Sequence, residues 1–133
     1  MEQRRITIIK IRRPVRSNIN EKLQWFGTSL GLFSLRDKDR SCFRIFIELL
    51  KQAKKDEPIS SDGLAVRLQL SRGTVVHHLH KLMDSGIVVQ EKKGYILRVH
   101  NLSRLIDELE KDMHRTFDSL KEIAEDIDKK IGG

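Results

Sequence analysis

The sequence holds one cysteine, Cys42, in 133 residues. That count excludes an internal disulfide and fits a reducing compartment. Aromatic residues are also scarce. One tryptophan and one tyrosine leave little for a base-stacking platform of the single-strand-binding kind. No apolar run approaches the length of a membrane span. None follows the opening Met-Glu-Gln-Arg-Arg, so a signal peptide is not expected and the expected location is the cytoplasm. Internal repeats and low-complexity tracts are missing too. What is present is a charge-rich chain, 38% hydrophobic and 34% charged, of a length that fits one domain with an appendage.

The net charge of +7 is unevenly spread. Residues 1–40 carry ten Lys/Arg against four Asp/Glu, residues 41–100 ten against six, and residues 101–133 six against nine. A basic front and an acidic tail point to a polyanion partner, of which nucleic acid is the commonest, with a separate task for the tail.

Local patterns divide the chain further. "RRITIIKIRR", residues 4–13, combines β-branched and basic residues before Pro14 and predicts a short strand or extended arm. Asn18 or Asn20 is placed to cap a helix carrying Leu23, Trp25, Phe26 and Leu30. A firmer helix follows in "LRDKDRSCFRIFIELLKQAKK", with Asp37 or Asp39 as its cap. Phe43, Phe46, Ile47 and Leu50 recur at helical spacing, and Ile45 and Leu49 form a second apolar face. Cys42, among apolar neighbours, is most simply a small core residue. Ser60 then caps a short helix ending near Gln69, with Ile59 and Leu64 as a hydrophobic staple. Ser71 caps another that runs to about Asp84 and stops at Gly86. "IVVQEKKGYILRV" predicts a β-hairpin turning at Lys93-Gly94. Beyond residue 101 one long helix is expected. Its seam is Leu102, Ile106, Leu109, Met113, Leu120, Ile123 and Ile127, in alternating steps of four and three, with Thr116 in the remaining position. Leu105, Phe117, Ala124 and Ile131 widen that stripe.

Helix, short helix, capped helix and hairpin, in that order, make a winged helix-turn-helix. The residues that carry this order are Leu64, Ala65 and Leu68, then Leu70-Ser71, then "TVVHHLHKLMDSGIV" at 74–88. Over residues 38–100 the chain resembles ArsR-type and related archaeal winged-helix regulators. The resemblance implies a mainly α fold with a small hairpin wing, flanked by an N-terminal basic strand or helix and a long C-terminal coiled-coil helix. The expected divisions are 1–36, a basic arm with an apolar helix, 37–100, the DNA-binding domain, and 101–133, the dimerisation helix.

On that reading Val75, Leu79 and Leu82 face the core. Ser71, Arg72, Gly73, Thr74, Val76, His77, His78 and Lys81 then form the surface offered to double-stranded DNA, with Lys92 and Lys93 at the wing tip on phosphates. Arg72 suits a guanine edge or a phosphate, and Thr74 and Val76 suit a thymine methyl. Arg4, Arg5, Lys10, Arg12, Arg13 and Arg16 form a basic arm, which serves either solubility or DNA contact. The seam residues of the last helix are expected to join two copies as a homodimer, or to fold back on the chain's own N-terminal helix.

Sharper chemistry fits less well. His77, His78 and His80 crowd four positions, but neighbours on a helix point about 100° apart, and further ligands are missing nearby. Cys42 stands alone, without the paired cysteines of metal-sensing ArsR proteins. No metal or cofactor is therefore expected, and whether a small-molecule effector exists is left open. "GTSLG", residues 27–31, matches a nucleophile elbow around Ser29, but the α/β sheet that such an elbow needs has no room here. No catalytic residue is assigned and no enzyme is expected. The expectation is a homodimeric, nucleoid-associated transcriptional regulator that binds duplex DNA sequence-specifically. The alternatives are an architectural DNA-coating protein and a winged-helix protein-interaction module.

Overall fold

The protein is described by a computed structural model at Ile8, Arg13, residues 18–33 and residues 40–132. It divides into two compact units, Met1–Asn101 and Leu102–Gly133. Most of the arm expected at residues 4–13 lies outside the described residues. Ile8 and Arg13 are exposed and carry no regular structure.

The first helix, α1, spans Ile19–Ser29, and Asn18 caps it by accepting from the Glu21 amide at 2.9 Å. Gly31 ends it in the left-handed region, φ 70°, where glycine is least penalised. The chain then turns Leu32 and Phe33 into the core. Phe33 meets Phe43 edge-on, with ring centroids 5.2 Å apart, and Phe46 at 6.0 Å. Gly27 is where that ring fits. A Cβ there would lie 1.7 Å from Phe33 Cε2.

Helix α2, Ser41–Lys55, departs from expectation in two ways. Its N-cap is Arg40, left-handed at φ 55° and without a side-chain capping bond, and the expected caps Asp37 and Asp39 lie outside the described residues. The Arg40 side chain instead bonds Gln24 and lies 4.4 Å over the Phe43 ring. The helix is also rotated. Cys42, Ile45, Phe46, Leu49 and Ala53 are buried, while Phe43, Ile47 and Leu50 are only partly covered. The face read as secondary is the one the core uses, because α2 packs on the following helices and the hairpin at once.

Helix α3, Ser61–Leu68, and helix α4, Arg72–Asp84, form the helix-turn-helix. Ser60 and Ser71 cap them by accepting from the amides of Gly63 and Thr74, as their spacing predicts. Ile59 and Leu64 are both buried at the staple positions. Two links tie α3 to α2. Arg44 donates to the Leu68 carbonyl, and Arg67 pairs with Glu48 at 2.9 Å. The Arg67 bond holds the Glu48 carboxyl below the usual carboxylate range, against the opposing effect of partial burial.

The wing is β1, Val88–Glu91, paired antiparallel with β2, Gly94–Leu97, in the register Glu91↔Gly94 to Val88↔Leu97. Its turn is therefore Lys92-Lys93, with Lys92 at φ 57°, one residue earlier than expected. Gly94 is a strand residue without a positive φ. It is small because Pro58 and Ile59 press on it, and a Cβ would come 2.7 Å from Pro58 Cβ. That approach accompanies an isolated β-bridge that no local pattern announced. Ile59 and Tyr95 exchange backbone hydrogen bonds of 3.0 and 2.8 Å.

The second unit is one helix, α5, Leu102–Ile131, 30 residues and about 45 Å long at 1.5 Å per residue. Lys111–Glu108 and Arg115–Asp112 pairs lie along it. The Thr116 hydroxyl bonds back to the Asp112 carbonyl. Phe117, Leu120, Ile123 and Ile127 are each at least half exposed.

Two tests follow from this packing. Gly27→Ala should lower stability by about 1–3 kcal/mol, since Phe33 is wedged between two other rings. Gly73→Ala, with nothing within 4 Å of the new Cβ, should be neutral or stabilising. Equal melting temperatures for the two variants would refute the wedge. Glu48→Gln should cost about 0.5–1 kcal/mol at neutral pH. Because the folded-state pKa lies below the unfolded one, that contribution is present above the ordinary glutamate range and lost as pH falls through the folded value. Urea unfolding at pH 7 and at about pH 3 should show the gap between variant and parent closing in acid. A gap that persists would place its origin elsewhere.

Candidate nucleic-acid interface

One edge of α4 is fixed. Val75, Leu79 and Leu82 are fully buried, so the opposite edge has to face away from the core. Ser71, Arg72, Gly73 and His77 are exposed there, Thr74 and Val76 partly so. No side chain approaches the open space around Gly73, which leaves the start of the helix accessible to another backbone. A helix N-terminus of this kind, with its amide dipoles, suits a phosphate or a base edge.

The cap uses part of the polar inventory. Ser71 Oγ accepts from the Thr74 amide at 3.1 Å and lies 2.8 Å from Thr74 Oγ1. The two hydroxyls are thus partly committed to each other, and Thr74 keeps its methyl group as an apolar contact. His77 and His78 meet edge-on at 5.3 Å. They are not equivalent. His77 is exposed, whereas His78 is partly buried, with its Nδ1 shielded from solvent.

Lys81 serves the fold more directly than expected. Its ammonium donates to the Leu32 carbonyl at 3.1 Å, tying the end of the α1 segment to α4. An ammonium has three donors, so the bond restricts Lys81 without consuming it. A cleft of about 410 Å³ opens beside this tether, bordered by Leu30–Leu32 and by His77, His80 and Asp84. Lys92 and Lys93, both exposed, sit together at the hairpin turn.

Arg72 has a partner that no local pattern announces. Its Nε lies 3.4 Å from Asp62 Oδ1, in the first turn of α3. The signal is nonlocal, since ten residues and a turn separate the two.

Other expectations land as follows. Arg13 of the arm is exposed, and Arg4, Arg5, Lys10, Arg12 and Arg16 lie outside the described residues. The seam residues Leu102, Ile106, Leu109, Met113, Leu120, Ile123 and Ile127 all fall on α5. Ser29 is the last residue of α1, with its hydroxyl buried, so the strand-turn-helix of a nucleophile elbow is not formed there. Among the described residues no group of three or more His, Cys, Asp and Glu side chains is placed to hold a metal ion. No helix of the described residues is long and apolar enough to cross a membrane.

Residues 47–89 match the family model described as bacterial regulatory protein, arsR family. The match runs from the middle of α2 through the helix-turn-helix into β1. No curated protein and no solved structure matches the chain. A helix-turn-helix that matches this family model, followed by a two-stranded wing, supports a DNA-binding transcription regulator.

Replacing Lys81 by Met keeps the aliphatic stem but leaves the Leu32 carbonyl without its donor. The expected cost is about 1 kcal/mol, or roughly 3 °C in melting temperature. Lys92→Met, at the wing tip, should leave the midpoint unchanged. Matching shifts in calorimetry would count against the tether.

Proposed function

We propose that the chain is a homodimeric transcriptional regulator that binds double-stranded DNA sequence-specifically, with α4 in the major groove. The observation that carries this reading is the division of α4 into a fully buried aliphatic edge and an exposed edge bearing Arg72 and His77, with two lysines at the tip of the wing that follows. Arg72 is the base reader, suited to a bidentate bond with guanine O6 and N7. Thr74 and Val76 supply apolar contact to a thymine methyl, and His77 supplies a ring nitrogen to a base or phosphate. Lys92 and Lys93 clamp phosphate, and Lys81 reaches it only with the donors its tether leaves over.

Two copies pair through the apolar stripe of α5, where Leu120, Ile123 and Ile127 are half or more exposed in a single chain. Pairing presents two recognition helices to two half-sites, the usual route to affinity for small helix-turn-helix proteins. The basic arm adds phosphate contacts, and the protein resides in the cytoplasm on the nucleoid.

The test is titration of the full chain at several salt concentrations, against a duplex selected from a random pool and a scrambled duplex. The expected result is tight binding of the selected duplex with two chains bound. Arg72→Ala should weaken the selected duplex by about 1–3 kcal/mol and scrambled DNA far less. Lys92→Ala with Lys93→Ala should weaken both alike and, with two lysines lost from each of two bound chains, reduce the salt slope by roughly 4. Ile123→Asp with Ile127→Asp should leave one chain per half-site and loosen binding. A selected-to-scrambled ratio near unity with a steep salt slope would point to architectural coating. Indifference to Arg72→Ala and to both wing substitutions would leave a protein-interaction module.

A further inference from the structure

We propose that Asp62 is a specificity-determining residue of this interface. By pairing with Arg72 it discourages that arginine from serving as a general phosphate contact and reserves it for a base edge. The proposal rests on the DNA-binding reading above and deepens it.

The starts of α3 and α4 carry opposite charges side by side. The closest approach is Arg72 Nε to Asp62 Oδ1 at 3.4 Å, and the two side chains are 73% and 71% exposed. The pair contributes little to folding, because both charges stand in water and the solvated surface screens them. Its consequence is felt by whatever approaches Arg72. A guanidinium held at Nε keeps its two terminal nitrogens for a bidentate acceptor. A phosphate placed there brings a full negative charge close to the Asp62 carboxylate. A guanine edge brings only neutral acceptors. The carboxylate therefore costs a phosphate more than it costs a base, and nonspecific binding is built on phosphates.

The rest of α3 does not offset this cost. Arg67 is paired with Glu48, and Val66, one turn beyond Asp62, is 79% exposed and apolar. Among the described residues, the outer side of α3 at this edge presents a carboxylate and an isopropyl group. An architectural protein would gain from a lysine in either place. A protein that must reject most of the DNA it meets gains from the carboxylate.

The test uses the full chain carrying Asp62→Asn, titrated against the selected and scrambled duplexes at low and moderate salt. The neutral variant should bind scrambled DNA roughly threefold more tightly, with the selected duplex nearly unchanged, so that the specificity ratio falls by the same factor. The gain should shrink as salt rises, since exposed charges are screened. The ratio is taken within one preparation, so a partly unfolded variant does not distort it. Equal tightening on both duplexes, or none on either, would overturn the proposal while leaving DNA binding intact. So would an equal fall in the ratio for Glu125→Gln on α5, which removes a charge far along the sequence from the reading helix. Failure of the unsubstituted chain to bind either duplex would overturn both readings together.

Discussion

The burial of Val75, Leu79 and Leu82 is the constraint on which the helix-turn-helix depends. Each is completely withdrawn from water, and covering a side chain of this size is worth about 1.5–3 kcal/mol. Three on one edge fix the rotation of α4 about its axis. A helix turned by even one residue's 100° would bury His78 or Lys81 in place of an aliphatic group. The exposure of Arg72 and His77 therefore follows from the packing on the opposite edge. Ser71 fixes where the helix starts, and the buried edge fixes which way it looks.

How much of this was legible depended on the range of the interaction. Ser60, Ser71, Ile59 with Leu64, and Gly86 act within a few residues of themselves, so the sequence displayed the caps, the staple and the stop directly. Gly86 sits at φ 80° at the end of α4, where its type predicts. The rotation of α2 was different. Its two apolar faces are equally good in sequence, and only contacts with α3, α4 and β2 select Ile45 and Leu49 over Ile47 and Leu50. Gly94 was mistaken for a turn residue because its reason lies 36 positions away, in the press of Pro58. The Ile59–Tyr95 bridge, the Lys81 tether and the Asp62–Arg72 pair were hidden for the same cause. None leaves a periodic or local trace.

The same distinction explains why the histidine cluster looked more remarkable in sequence than it is in space. Adjacent positions of one helix cannot share a face, and the fold separates His78 from His77 and His80. His78 is drawn partly inside, whereas His77 and His80 are both exposed and border the cleft beside Leu32, His77 also facing the candidate interface.

The basic charge that first suggested a polyanion partner is also less available than its count implies. Arg40 is held by Gln24 and the Phe43 ring, Arg44 by the Leu68 carbonyl, Arg67 by Glu48, and Lys81 by the Leu32 carbonyl. Each of these cations joins elements of the fold that are distant in sequence. On the described part of the candidate interface, Lys92 and Lys93 remain without such a duty, and Arg72 meets only the exposed Asp62. Lys92 and Lys93 as phosphate contacts, with Arg72 held for a base edge, would give a salt slope of about −2 per copy, whereas strongly salt-dependent binders make about 6 to 10 contacts. Two copies on one duplex would make about four, still below that range, and the arm's arginines would add to it. An arrangement this sparing in cations cannot hold DNA tightly by charge as a single copy. On the proposed reading it gains affinity from pairing and from base contacts, and these two sources depend respectively on the exposed stripe of α5 and the exposed edge of α4.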